Sequence, residues 1–207
     1  RKPALISTTA PGYLGHARKI IVRGRYLYLL YTSAPQINVF DVIDPYHPVA
    51  LGTVGISQDV DLLVEGSFLY AGGLTGLETV SVRTPASPVY QNANNVGSIQ
   101  SLAKAGRYIF AAVPASGVRV LDVENPASIQ MLQTLGSSIS AQGVAVNGRA
   151  LYVTDSNSNQ LLVYRLPGVE MASFEAGEGR VGQLYVMADG RIANSLDVGN
   201  QLVVGYG

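Results

Sequence analysis

Two carboxylates two positions apart, Asp59 and Asp61, are the first residues in this 207-residue chain that look able to do chemistry. Paired carboxylates do general acid and base work, and on glycosidic bonds they flank the bond from two sides. On an extended segment, residues two apart share a face, with Cα atoms only ~7 Å apart. Both would approach a sugar from the same side, so glycoside cleavage fits them poorly. The two histidines, His16 and His47, lie in separate segments, and neither has an evident partner in a relay or a metal site. Asp155-Ser156-Asn157-Ser158-Asn159 opens like a calcium loop. Gln160 then stands where that loop needs Gly, and Leu166 where it needs Glu, so a polar hairpin tip is expected. Cysteine is absent, which removes disulfides, thiolate nucleophiles and Cys-based metal sites. No cofactor is expected, and no catalytic residue is assigned.

The elements that must position these groups announce themselves through glycine. Gly24, Gly66, Gly106, Gly148 and Gly190 are spaced by 42, 40, 42 and 42 residues. Each follows one short apolar run and precedes another, as in Ile20-Ile21-Val22-Arg23-Gly24-Arg25-Tyr26-Leu27-Tyr28. β-branched and aromatic residues, punctuated by Gly and Pro, read as strands, and no useful helical period appears. A second signal recurs between the third and fourth strands: Asp44-Pro45, Thr84-Pro85, Asn125-Pro126 and Leu166-Pro167. A short polar side chain before Pro bonds its own backbone, while Pro fixes φ, giving a rigid turn in most copies.

A strand-rich repeat of about 42 residues is the mark of a propeller blade. The expectation is an all-β, five-bladed β-propeller of four-stranded blades, a single domain over 1–207. The blades fall near 15–56, 57–97, 98–139, 140–179 and 180–207. The last repeat lacks its outermost strand, and Pro3-Ala4-Leu5-Ile6-Ser7-Thr8-Thr9 resembles Pro48-Val49-Ala50-Leu51-Gly52-Thr53-Val54. Residues 1–14 are therefore expected to complete the fifth blade and close the ring. The rival arrangement is a piece of a larger propeller.

Two stretches carry a family likeness: Val39-Phe40-Asp41-Val42-Ile43-Asp44-Pro45, and Gly117-Val118-Arg119-Val120-Leu121-Asp122-Val123-Glu124-Asn125-Pro126. An apolar strand ending in Asp, a branched residue and a polar-Pro turn resembles the LVIVD-type repeat family. Ala17-Arg18-Lys19-Ile20 resembles the strand that precedes it. Ser81 and Tyr164 depart from the strand Asp in the second and fourth repeats. The resemblance implies a bacterial or archaeal propeller, secreted or at the cell surface, with a binding or scaffold role and no catalytic residues.

In a propeller the first strand of each blade lines the central channel. Lys19, Asp61, Ser101, Gly143 and Tyr185 stand five before each recurring Gly, so they are expected to form a ring. Arg18, Asp59, Gln100 and Gln142 lie close by, and Lys19 can pair with Asp61 across blades. The ring is either a polar ligand pocket or a solvated channel. Tyr28, Tyr70, Phe110 and Tyr152 recur four after the Gly and are expected to pack between blades. Tyr13, Tyr46, Tyr90 and Tyr206 sit near turns and termini and are candidate contact residues.

Charged residues are only 14% of the chain, against about 25% in an average domain. Net charge is zero, and no basic stripe recommends nucleic acid. No apolar run reaches the ~18 residues of a membrane helix, so no membrane insertion is expected. The chain starts at Arg1 and a removed leader is presumed. The neutral, charge-poor surface and the absence of an acid/base constellation, with the extracytoplasmic setting that the family resemblance implies, lead to the expectation of a non-catalytic interaction or structural module outside the cytoplasm, with a protein partner or self-association. A lectin-like carbohydrate or small-ligand binder is the alternative, and a glycoside hydrolase the remaining one.

Overall fold

The computed structural model describes residues 2–8, 16–32, 34–57 and 59–166. Among these residues there are strands and turns and no helix. The first sheet is a meander of β1 (Ala17–Arg23), β2 (Tyr26–Tyr31), β3 (Gln36–Asp41) and β4 (Val49–Gly55). The second repeats it with β5 (Asp59–Glu65), β6 (Phe68–Gly73), β7 (Gly76–Ser81) and β8 (Val89–Asn94). The third has β9 (Ser101–Ala105), β10 (Tyr108–Val113), β11 (Gly117–Asp122) and β12 (Gln130–Leu135). The fourth has three described strands, β13 (Ala141–Asn147), β14 (Ala150–Asp155) and β15 (Gln160–Arg165).

All pairings among the described strands are antiparallel. Each first hairpin turns on the recurring Gly. Gly24 has φ +59°, while Arg25 beside it is not among the residues of positive φ. A positive φ at the first central residue alone marks the II′-type turn, which favours Gly there. The polar-Pro turn also forms as its chemistry dictates. Asp44 Oδ1 accepts the Tyr46 N–H at 2.9 Å, and Asn125 Oδ1 accepts the Ala127 N–H at 3.1 Å.

The first strands β1, β5, β9 and β13 contact one another in succession, forming the inner row of the stack. The core lies between the sheets. Leu30, Ile37 and Val39 of the first sheet pack on Leu62, Leu69 and Val80 of the second. Tyr70 and Leu77 meet Ile99 of the following link and Leu102 and Ile109 of the third sheet, and Phe110, Val118 and Val120 meet Leu151 and Val153 of the fourth. Tyr28, Tyr70 and Phe110 thus pack against the next sheet, as their spacing implied. Tyr152, the fourth of this series, is half-buried.

Two expectations extend beyond the described residues. Four sheets are described, not five; the residues expected to form the rest, 167–207, lie outside the described residues. Residues 2–8, expected to be part of a closing strand, are in no strand, and Leu5 is 84% exposed. A strand exists only with a ladder partner, and the segments assigned as its partners, within 180–207, fall outside the described residues.

Candidate functional site

The inner row is held by side chains that reach from one sheet to the next. A register shift lies between Asp59 and Asp61, where Asp59 pairs with Gly73 and Asp61 with Gly72. The same shift recurs between Ala17 and Lys19 and between Ala141 and Gly143. Such a bulge interrupts strict alternation, so the spacing of Asp59 and Asp61 does not assign them a common face. Asp61 is only 7% exposed. Its Oδ1 accepts its own neighbour's N–H, from Leu62, at 2.9 Å. Oδ2 accepts the Leu102 N–H of the third sheet at 2.7 Å. Lys19 Nζ of the first sheet approaches Oδ1 at 2.8 Å. One carboxylate therefore joins three sheets, and the expected Lys19–Asp61 pair is present.

Ser101, one sheet on, accepts the Val144 N–H of the fourth sheet at 3.4 Å. Gly143 follows in the series and has no side chain; its N–H donates to Thr154 Oγ1 at 2.9 Å. Gln142 Nε2 donates to Ser140 Oγ and Ser156 Oγ at 3.4 and 3.3 Å. Gln100 is half-buried, and its backbone N–H donates to Ala112 O at 2.9 Å. Arg18 is exposed. Tyr185, Tyr13 and Tyr206 lie outside the described residues. Tyr46 and Tyr90 are exposed, one in the outer turn of the first sheet and one on β8.

Two clamps escaped the sequence reading. Glu78 is 3% exposed on β7, where it accepts the Ser57 N–H at 2.8 Å and the Ser57 hydroxyl at 2.7 Å. Ser57 lies on the link between the first two sheets. Arg119, at the matching position of β11, donates to Val96 O at 3.3 Å on the next link and to Thr134 Oγ1. The available signal was a charge inside an otherwise apolar strand, Gly76-Leu77-Glu78-Thr79-Val80.

The Asp155 segment is a hairpin tip between β14 and β15. Asp155 accepts the Ser140 N–H at 2.9 Å, the Asn157 N–H at 3.0 Å and the Ser158 hydroxyl at 2.6 Å. The Ser158 hydroxyl, then these backbone donors, hold its carboxyl below the usual range. His16 carries the chain into β1, and its carbonyl accepts the Thr32 N–H at 3.1 Å. His47 does have a partner: Nδ1 lies 2.7 Å from Asp44 Oδ2 in the outer turn.

The strand Asp of the repeat has a structural task. Asp41 pairs with Arg25, the residue after the turn Gly, and accepts the Ile43 N–H at 3.0 Å. Asp122 pairs with Arg107 at 2.5 Å and accepts the Glu124 N–H at 3.0 Å. Both arginines also lie over the next aromatic ring, Arg25 5.5 Å from Tyr26 and Arg107 5.4 Å from Tyr108. Ser67 and Ser81 replace both partners in the second repeat.

An open groove of about 380 Å³ is lined by Gln142, Thr154, Asp155, Ser156, Asn159, Gln160 and Leu161. Its Leu161 stands where Ile37, Leu77 and Val118 are fully buried between sheets. The groove thus runs along a flank of the fourth sheet at a position that is core in the other three, and does not by itself mark a ligand pocket. Among the described residues, no group of three or more His, Asp or Glu side chains is placed to hold a metal ion.

Residues 96–135 match the model of the LVIVD repeat family, so the chain carries an LVIVD repeat over its third sheet. No curated protein matches the chain. Among solved structures, the computationally designed Ika4 protein is similar at TM-score 0.63 and 10% identity, covering 80% of this chain and 100% of that one. The β-propeller domain of Cps50 (Swd1) from Myceliophteria thermophila is similar at TM-score 0.60 and 12% identity, covering 74% of this chain and 54% of that one. BamB from Moraxella catarrhalis is similar at TM-score 0.58 and 14% identity, covering 75% of this chain and 46% of that one. The matches thus span about half the length of the two natural chains. The fold is that of a β-propeller, and its sheets are blades.

Proposed function

We propose that this chain is a five-bladed propeller closed by its N-terminal segment, working as a non-catalytic interaction or structural module of an extracytoplasmic assembly. One observation carries the non-catalytic reading. The buried acids among the described residues, Asp61, Glu78 and Asp155, are each committed to backbone N–H groups, hydroxyls or an ion pair that join parts of the fold. A carboxylate occupied in this way is poorly placed to give or take a substrate proton. The extracytoplasmic setting rests on the likeness to the LVIVD repeat family. A lectin-like binder is the second reading; the groove beside Leu161 lends it little, because the matching positions elsewhere are core.

Closure has its own support. Asn92, seven residues after the turn Pro85, donates to Pro126 O in the turn of the next blade at 3.2 Å. Gly52 holds the same place after Pro45, and a Cβ there would lie 2.6 Å from Ala86 O in the next turn. Ser7, which aligns with Gly52, donates to Pro45 O at 2.8 Å. The N-terminal segment therefore makes on the first blade the contact that an outermost strand makes on its successor. Purified protein should cleave no member of a panel of chromogenic glycosides and give no saturable signal on a glycan array. Hydrolysis abolished by Asp61→Asn in a folded protein overturns the non-catalytic reading, and saturable glycan binding moves the assignment to the lectin.

A further inference from the structure

The outermost strands β4, β8 and β12 are edges of their sheets. Natural edges are usually protected by a charged side chain, a proline, a bulge or a cover, because their free N–H and C=O groups template pairing with another chain. These three read Val-Ala-Leu-Gly-Thr-Val-Gly, Val-Tyr-Gln-Asn-Ala-Asn and Gln-Met-Leu-Gln-Thr-Leu, with no charged residue and no proline. Each has one bulge, at Leu51, Gln91 and Leu132, and beyond it the residues return to a regular ladder with the third strand. Val49, Val89, Tyr90, Met131 and Leu132 are exposed on this rim. The chain's 14 basic and 14 acidic residues all lie elsewhere.

We infer that these outer edges are a strand-pairing surface whose occupant is the edge of a second copy of this chain. This rests on the interaction-module reading above and names its surface and partner. Charge selects the occupant. A partner with a charged edge would lose hydration against a rim that offers no counter-charge, whereas a second copy brings an equally uncharged edge. Zero net charge leaves no long-range repulsion between copies. Successive blades repeat the edge, so one contact raises the effective concentration of the next.

The test is light scattering of the 207-residue protein over rising concentration, compared with Val89→Lys, Met131→Lys and, as a charge control, Asn157→Lys on the exposed hairpin tip. The wild type and the control should reach at least about twice the 21.8 kDa of one chain, and the rim variants should stay at one chain. Hydrogen exchange provides a readout without substitution: amides of 52–55, 92–94 and 133–135 should gain protection as mass rises. A wild type that stays a single chain overturns the inference, as does assembly untouched by the rim lysines or lost equally in the control. Protection rising elsewhere and not on the rim overturns it too. Each of these leaves the non-catalytic reading standing, since only hydrolysis or glycan binding counts against that.

Discussion

The Asp61 carboxylate of the second blade accepts the Leu102 backbone N–H of the third at 2.7 Å while holding Lys19 of the first at 2.8 Å. Asp61→Ala removes the acceptor for two N–H groups, Leu62 and Leu102, and should cost about 2–4 kcal/mol. Asp61→Asn keeps one acceptor oxygen and should cost roughly half as much. Lys19 has a side chain 43% exposed, so Lys19→Ala should cost less than about 1 kcal/mol. Urea unfolding of the three variants checks the order; equal effects at Lys19 and Asp61 would mean that the ion pair, not the backbone clasp, is what matters.

Acid should weaken the fold through several carboxylates at once. The Arg25 guanidinium hydrogen bond lowers the Asp41 pKa, the His47 ring that of Asp44, and the Ser158 hydroxyl that of Asp155, each from the ordinary 3.8. A folded pKa below the unfolded one stabilises fully above the unfolded value and loses that contribution as pH falls through the folded one. The urea midpoint should therefore be insensitive to these groups from neutral pH down to about 5 and fall below about 4. Asp155→Asn should flatten the fall. A midpoint that drops instead between neutral pH and 6 would point to other groups.

Local chemistry was the legible part of this sequence. The recurring Gly and the polar-Pro turns are backbone requirements written in residue type, so they located the turns between strands. Lys19–Asp61 was legible because both stand at one repeat position on neighbouring blades. Glu78 and Arg119 were not, because their partners Ser57 and Val96 lie on links to the preceding blade, and nothing in strand composition names them. The bulge between Asp59 and Asp61 was also hidden, since one extra residue in a ladder leaves no residue-type signature. The strand assigned to the N-terminal segment depends on distant partners, and residues 2–8 have no ladder of their own.

Two glycines separate the causes of backbone intolerance. Gly24 has φ +59° and open space where a Cβ would go, so Gly24→Ala should cost only the left-handed penalty of about 1–2 kcal/mol. Gly117 has φ +81°, and its Cβ would lie 2.3 Å from both Gly136 O and Leu135 O. Both obstacles are backbone, so Gly117→Ala should cost about 3 kcal/mol. Thermal unfolding of the pair checks this; equal losses would mean that the chain at 135–136 gives way.

Leu161 decides whether a fifth blade completes the propeller. It is 62% exposed and Val163 is 59% exposed, while the matching Ile37, Val39, Leu77 and Val118 are at 0%. These core positions, aliphatic in every sheet but for Thr79 of the second, are accounted for at Leu161 and Val163 if residues beyond 166 pack over them as the next blade. Leu161→Lys should then destabilise the full chain by about 2–3 kcal/mol, the value of a buried Leu. An uncovered Leu161 would tolerate Lys within about 0.5 kcal/mol. Deleting residues 1–8, which removes the Ser7 contact to Pro45, should lower stability as well and should raise hydrogen exchange at β1. A full chain indifferent to both changes would leave four blades without closure and put the rival larger-propeller arrangement ahead.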